Sequence, residues 1–322
     1  MKRLASEFLP VADEVGRLQR GKDAECLFFQ AVAEQGHYAG RTDPTNTRQG
    51  IYTFAPSGVF LGSINTRSAR AVASMLEKAL ANWKSLPREE RRARADPAGT
   101  AATIPRYERR FPEDGLALRV VTRDLPRKKV SENPRRNDWR ADAWNQDTAW
   151  FRPDEARSFL PRELKPGIRH AVPRALVARI AQCHFVDNVR GQTPPFDAAD
   201  VVTADLVAVV ERVAGKKASV RFEGATRAVK KGAWPIDGFN DRNAPTEQER
   251  GFETTIEGRG EFDVASERFV ELELVASGTR WGATQYNGRA DDVEPAPIGV
   301  VMALDETASR VAPASLWVYG WR

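Results

Sequence analysis

The clearest apolar rhythm in the chain lies between Ile51 and Trp83. Ile51-Tyr52-Thr53-Phe54 has strand composition, Pro56-Ser57-Gly58 is turn chemistry, and Val59 to Ile64 returns as a second strand. Ser68 is placed to cap a helix whose apolar positions are Val72, Met75, Leu76, Ala79, Leu80 and Trp83. Steps of three and four put all of them on one helical face, which must pack on the hairpin before it. Upstream, Phe8-Leu9-Pro10-Val11 reads as a short strand confined by Pro10 to an edge. Asp23 caps a predicted helix through Cys26, Phe28 and Val32 that stops near Gly36.

The pattern changes after Lys84. Arg91-Arg92, Arg109-Arg110, Arg127-Lys128-Lys129 and Arg135-Arg136 recur among six prolines, and only Leu116 to Thr122 has strand character. Residues 87–103 read as a basic, proline-containing linker. Beyond it one helix is predicted over Pro173–Cys183, and the remainder reads as strands: 201–213, 218–225, 252–262, 268–276, 298–304 and 316–319. Strict alternation in Arg268-Phe269-Val270-Glu271-Leu272-Glu273-Leu274 marks an antiparallel strand with one wet face, so Glu271 and Glu273 are solvated residues. The expected fold is α+β: an α/β unit over 1–86, then a mainly antiparallel β domain over 104–322 with one or two helices, arranged as a sandwich or open barrel.

Residues 8–83 resemble the later part of a thioredoxin-like domain. The likeness rests on Phe8–Val11, on Gly50–Leu61 and on the stripe from Val72 to Trp83. It implies the order strand, helix, loop, antiparallel hairpin and closing amphipathic helix, with Phe8–Val11 as the strand. That family's paired cysteines are missing, because Cys26 and Cys183 are the only two in the chain. The resemblance therefore implies a redox-inactive, truncated unit serving as a scaffold.

Composition narrows the chemistry. A net charge of +5 over 322 residues is modest, and Glu89-Glu90, Glu108, Glu113-Asp114 and Asp124 dilute the basic stretch. Nucleic-acid binding through that connector is consequently the least favoured partner reading. No run approaches the roughly 20 apolar residues of a membrane span, so no membrane association is expected. Two cysteines cannot make a disulfide framework, and a reducing, cytoplasmic setting is expected. His170, Cys183 and His184 lack the spacing of a zinc site. Asp291-Asp292 and Glu294 lack the spacing of an EF-hand. Gly-x-Ser-x-Gly, His-Glu-x-x-His and the phosphate-binding glycine loops are all missing, so neither cofactor nor metal is expected.

Two stretches carry candidate binding chemistry. Trp139, Trp144 and Trp150 are interleaved with carboxylates and amides, a palette suited to a sugar or protein surface, or to roofing a β core. Gly278 to Arg289 is dense in glycines and hydrogen-bonding groups just after a strand. Arg280, Trp281, Asn287 and Arg289 are its candidate ligand residues. Three functional readings stay open, in this order: a non-catalytic scaffold or binding protein with a protein or small-molecule partner; an enzyme with a polar pocket in the β domain; a nucleic-acid binder.

Overall fold

A computed structural model describes residues 2–11, 15–37, 48–66, 68–92, 110–126, 143–236, 245–305 and 310–321. The chain divides into two compact units, Met1–Pro105 and Arg106–Arg322. Over the whole chain the architecture is mainly antiparallel β rather than α+β, because one large sheet dominates it.

In the first unit, α1 (Lys2–Ala5), α2 (Val15–Arg20) and α3 (Ala24–Ala33) precede the hairpin β1 (Ile51–Phe54) and β2 (Phe60–Ile64), and α4 (Ala69–Ser85) follows. The caps expected for α3 and α4 are present. Asp23 accepts from the Cys26 N–H at 3.0 Å, and Ser68 Oγ accepts from the Ala71 N–H at 3.3 Å. Strand alternation then assigns the hairpin's two faces. Tyr52 and Phe54 meet Phe29 and Phe28 of α3 edge-on, whereas Thr53 and Gly62 face Met75 of α4. The hairpin is thus the middle layer of three. Ala55, Leu61, Val72, Met75, Leu76 and Ala79 form its buried core, with Leu4, Phe8 and Trp83 packed around them.

Phe8–Val11 is not a strand. Phe8 closes the turn after α1 and packs on that core, while Leu9 and Val11 are exposed. Pro10 has no N–H to give a ladder, and among the described residues no strand pairs with this segment. The linker expected at 87–103 is described only as far as residue 92. That part folds back on α4: Ser57 Oγ donates to the Glu90 carbonyl, Arg91 Nε donates to the Leu86 carbonyl at 2.8 Å, and the Arg91 guanidinium lies over Trp83.

The second unit contains β3 (Leu116–Asp124), β4 (Trp144–Phe151), α5 (Pro153–Arg157), β5 (Arg169–Ala171), α6 (Arg174–Cys183), β6 (Val201–Ala214), β7 (Lys217–Trp234), β8 (Thr246–Asp263), β9 (Arg268–Trp281) and β10 (Ala296–Leu304). The strands form a single sheet in the order β4-β3-β10-β9-β8-β7-β6-β5, antiparallel throughout. The strands make one eight-stranded sheet and not the two packed sheets of a sandwich. Short turns explain the direction of the pairing. Gly215, at φ +59°, supplies the left-handed residue between β6 and β7. No second sheet is needed, because α6 and the segment after it cover the inner face. Leu176, Val177, Ile180 and Phe185 join Leu206, Phe222, Ile256 and Met302 in one core.

Three elements of this unit depart from expectation. The Trp-containing stretch contributes an edge strand, β4, instead of a loop. Residues 316–319, expected as a strand, form a 3₁₀ turn whose Leu316 and Tyr319 point to the same buried side, as i and i+3 must. Strand β5 was not foreseen; three residues are too few to show a period.

Candidate functional site

The predicted polar loop is the place to begin, because Arg280 and Arg289 prove to be fully buried. Arg280 ends β9, and Arg289 lies in the β9–β10 connection. Arg289 holds Asp187 (Nε to Oδ2, 2.8 Å) and Asp124 (Nη2 to Oδ1, 2.6 Å). Arg280 Nη2 and Arg190 Nη1 reach Asp292 at 2.6 and 2.9 Å, and Arg190 also reaches Asp124 at 3.0 Å. Arg190, Arg280 and Arg289 thus face Asp124, Asp187 and Asp292, and the charges balance. Burial pushes the Asp124 carboxyl up, but the hydrogen bond and charge of Arg289, with Arg190 and Arg280, outweigh it and hold the pKa below the usual carboxylate value. Burial likewise pushes the Arg289 pKa down, and its two aspartates more than reverse this.

This network joins the end of β3, the segment after α6 and the β9–β10 loop. It is a closed structural clasp rather than an open ligand pocket. Asn287 is buried beside it, its Oδ1 accepting from the Thr284 N–H at 3.0 Å, a contact that shapes the loop. Trp281 lies over Gly251, where an added Cβ would stand 2.0 Å from its ring, and its Nε1 donates to Glu249 at 3.0 Å. Trp144 is exposed at the start of β4. Trp139 lies outside the described residues. The expected site therefore does not assemble: its arginines and Asn287 are internal, Trp281 is covering a glycine, and Trp144 stands on the surface.

A second polar cluster escaped the sequence reading. Asp147 of β4, His184 just after α6 and Tyr319 of the C-terminal turn form a chain. Asp147 Oδ2 lies 2.8 Å from His184 Nδ1, and His184 Nε2 lies 2.7 Å from the Tyr319 hydroxyl. The Trp150 N–H donates to the Tyr319 oxygen at 3.3 Å. Every group is satisfied when His184 Nδ1–H donates to Asp147 and the phenol donates to Nε2. Arg179 stacks 4.3 Å over the Tyr319 ring, pairs with Glu155 at 2.7 Å, and donates to the Trp150 carbonyl at 3.3 Å. Burial pushes the Tyr319 phenol well above its ordinary range, so it stays a proton donor. Both His184 and Tyr319 are buried, and the chain ties the C-terminal segment to the open edge of β4. The residues lie 135 and 37 positions apart in sequence, a separation no local pattern reveals.

An open concavity lies in the first unit. A groove of about 470 Å³ runs between β2 and α4, lined by Leu61, Ser63, Ile64, Met75, Lys78 and Asn82 among others. β2 pairs only with β1 among the described residues, so its other edge borders the groove. Asn82 Nδ2 donates to the Leu61 carbonyl at 3.0 Å, which anchors α4 to that edge. Ser74, Lys78 and Asn82, four residues apart, form the polar border of the same helix face. That spacing was visible in the sequence beside the apolar stripe. Lys78 is the single charged residue of the lining.

Neither this groove nor a second cavity of about 170 Å³ beside Gly115 and Leu304 is lined by the arginine clasp or the His184 chain. Among the described residues, no group of three or more His, Cys, Asp or Glu is arranged to hold a metal ion, and no helix is long and apolar enough to cross a membrane. Both cysteines are buried. No family model matches the chain, and no curated protein or solved structure is significantly similar to it.

Proposed function

We propose that this chain is a non-catalytic binding protein whose first unit receives an extended segment of a protein partner in the groove between β2 and α4. The observation that carries this reading is the groove itself, where an open strand edge meets a helix face with one cation. Such an edge offers main-chain hydrogen bonds, and Leu61, Ile64 and Met75 offer apolar contact. Lys78 selects a segment with a carboxylate. A helix–hairpin–helix arrangement supports reading the unit as the later part of a thioredoxin-like domain that has kept the scaffold without the redox cysteines. A chain with only two cysteines, both buried, fits a reducing compartment such as the cytoplasm.

Selection of a random peptide display library on the full chain tests the reading. Enriched peptides are expected to carry an acidic residue, and Lys78→Glu is expected to weaken them about ten-fold while Lys84→Glu does not. Failure to enrich any peptide, or equal binding to the Lys78→Glu protein, removes the proposal.

A further inference from the structure

The outer face of the large sheet carries a surface of different character, independent of the groove. Register places Trp144 of β4 beside Arg123 of β3, and Gln146 beside Val121. Val121 is followed across the sheet by Val301 of β10 and Val275 of β9. Side chains of directly paired residues share a face. Their neighbours Val120, Met302 and Leu274 are buried inward, so the valines point outward. Trp144 is 57% exposed, and Val301 and Val275 are exposed beside it. Val121, Val301 and Val275 form a row of apolar side chains on this wet sheet face, with Trp144 diagonal to its Val121 end.

Charge gives the strip a direction. Arg119 and Arg123 flank Val121 two residues away on either side, on the same face, and both are exposed. Elsewhere on this sheet Arg169, Arg221, Arg227 and Arg259 each have a carboxylate within 4.0 Å. Arg119 and Arg123 have none among the described residues. They are two unneutralised cations bracketing an apolar strip. The strip runs on toward carboxylates: Glu257 is the cross-strand partner of Val275, and Glu273 is the partner of Ala303. A phosphate backbone, charged at every step, would run on into those carboxylates, whereas a short segment whose carboxylates lie only at Arg119 and Arg123 stops before them.

We propose that the outer face around Trp144, Val121 and Val301 docks an acidic, apolar segment of a partner protein, with Arg119 and Arg123 receiving its carboxylates. Trp144 is the anchor: a large exposed aromatic beside unpaired guanidinium groups is the composition of an interface hot spot.

The test uses the full chain and fluorescent dodecapeptides that alternate leucine with either glutamate or lysine, with oligothymidine as a third probe. The glutamate peptide is expected to bind about ten-fold tighter than the lysine peptide. Arg119→Glu with Arg123→Glu is expected to reverse that order. Trp144→Ala, and separately Val301→Glu, are expected to weaken the glutamate peptide about ten-fold with an unchanged circular-dichroism spectrum. The titrations are repeated in a Lys78→Glu background, which silences the groove, and the glutamate-over-lysine preference of this face is expected to persist there. Equal binding of the two peptides, an unaltered preference in the double arginine variant, or loss of the preference in the Lys78→Glu background overturns the proposal. Oligothymidine binding that the double variant abolishes overturns the choice of a protein partner.

Discussion

Arg289 shows how far a residue's chemistry depends on its surroundings. In water its guanidinium would be an ordinary surface cation; here it is buried between Asp124 and Asp187. Taking charges out of water is costly, and the cost is offset only while each has its partners. Asp124→Asn removes one partner and is expected to destabilise the second unit by roughly 2–4 kcal/mol, read from urea unfolding. The pH dependence has a definite sign. The folded-state pKa of Asp124 is depressed, so its contribution is present above the unfolded-state value near 4 and lost as pH falls through the folded value. Wild-type stability should therefore decline more steeply than that of Asp124→Asn below about pH 4, where the two curves converge. The thiols offer a second check at this scale. Burial raises the Cys183 pKa to about 12, and Cys26 is fully buried with its Sγ 3.1 Å from Asp23 Oδ2. An Ellman titration should find neither thiol reacting rapidly in the native protein and both reacting in denaturant; a fast native thiol would contradict the inert assignment.

Among the elements, β4 is the instructive one. An edge strand leaves every second residue's N–H and C=O without a ladder partner. At Trp150 both are satisfied from outside the sheet, by the Tyr319 hydroxyl and by Arg179. The C-terminal segment therefore works as a cover for the edge, held by Asp147, His184 and Tyr319. Tyr319→Phe keeps the ring packed against Trp321 and His184 but strips the Trp150 N–H of its acceptor. It should cost about 1–3 kcal/mol, and hydrogen exchange should quicken at Trp150 before other β4 amides. A uniform change along the strand would show that the hydroxyl is not the tie. In the first unit, Ser68→Ala tests the cap of α4 and should cost about 1 kcal/mol in thermal unfolding.

For the molecule as a whole, local pattern and long-range placement divide cleanly. The period of apolar residues determined the hairpin 51–64, helix α4, helix α6 and most strands of the large sheet, since burying one face forces a side-chain repeat of two or of 3.6. The positions of Cys26 and Cys183 likewise show that the chain contains no Cys-x-x-Cys motif. Strand number per sheet was beyond it: alternation says that a face is buried, and the same alternation serves a sandwich or a single sheet covered by a helix. Arg280 and Arg289 were legible as polar residues gathered near a strand end, but not as buried ones. The aspartates that neutralise them come from positions 124, 187 and 292, and a charge's burial depends on partners that local sequence does not display. Trp144 was legible as an unusual residue, yet its meaning waited on register, which set it beside Arg123 and one row from the valines. Period is a property of consecutive residues and survives in the sequence; pairing is a property of residues far apart, and only the folded chain brings them within hydrogen-bonding and ion-pairing distance.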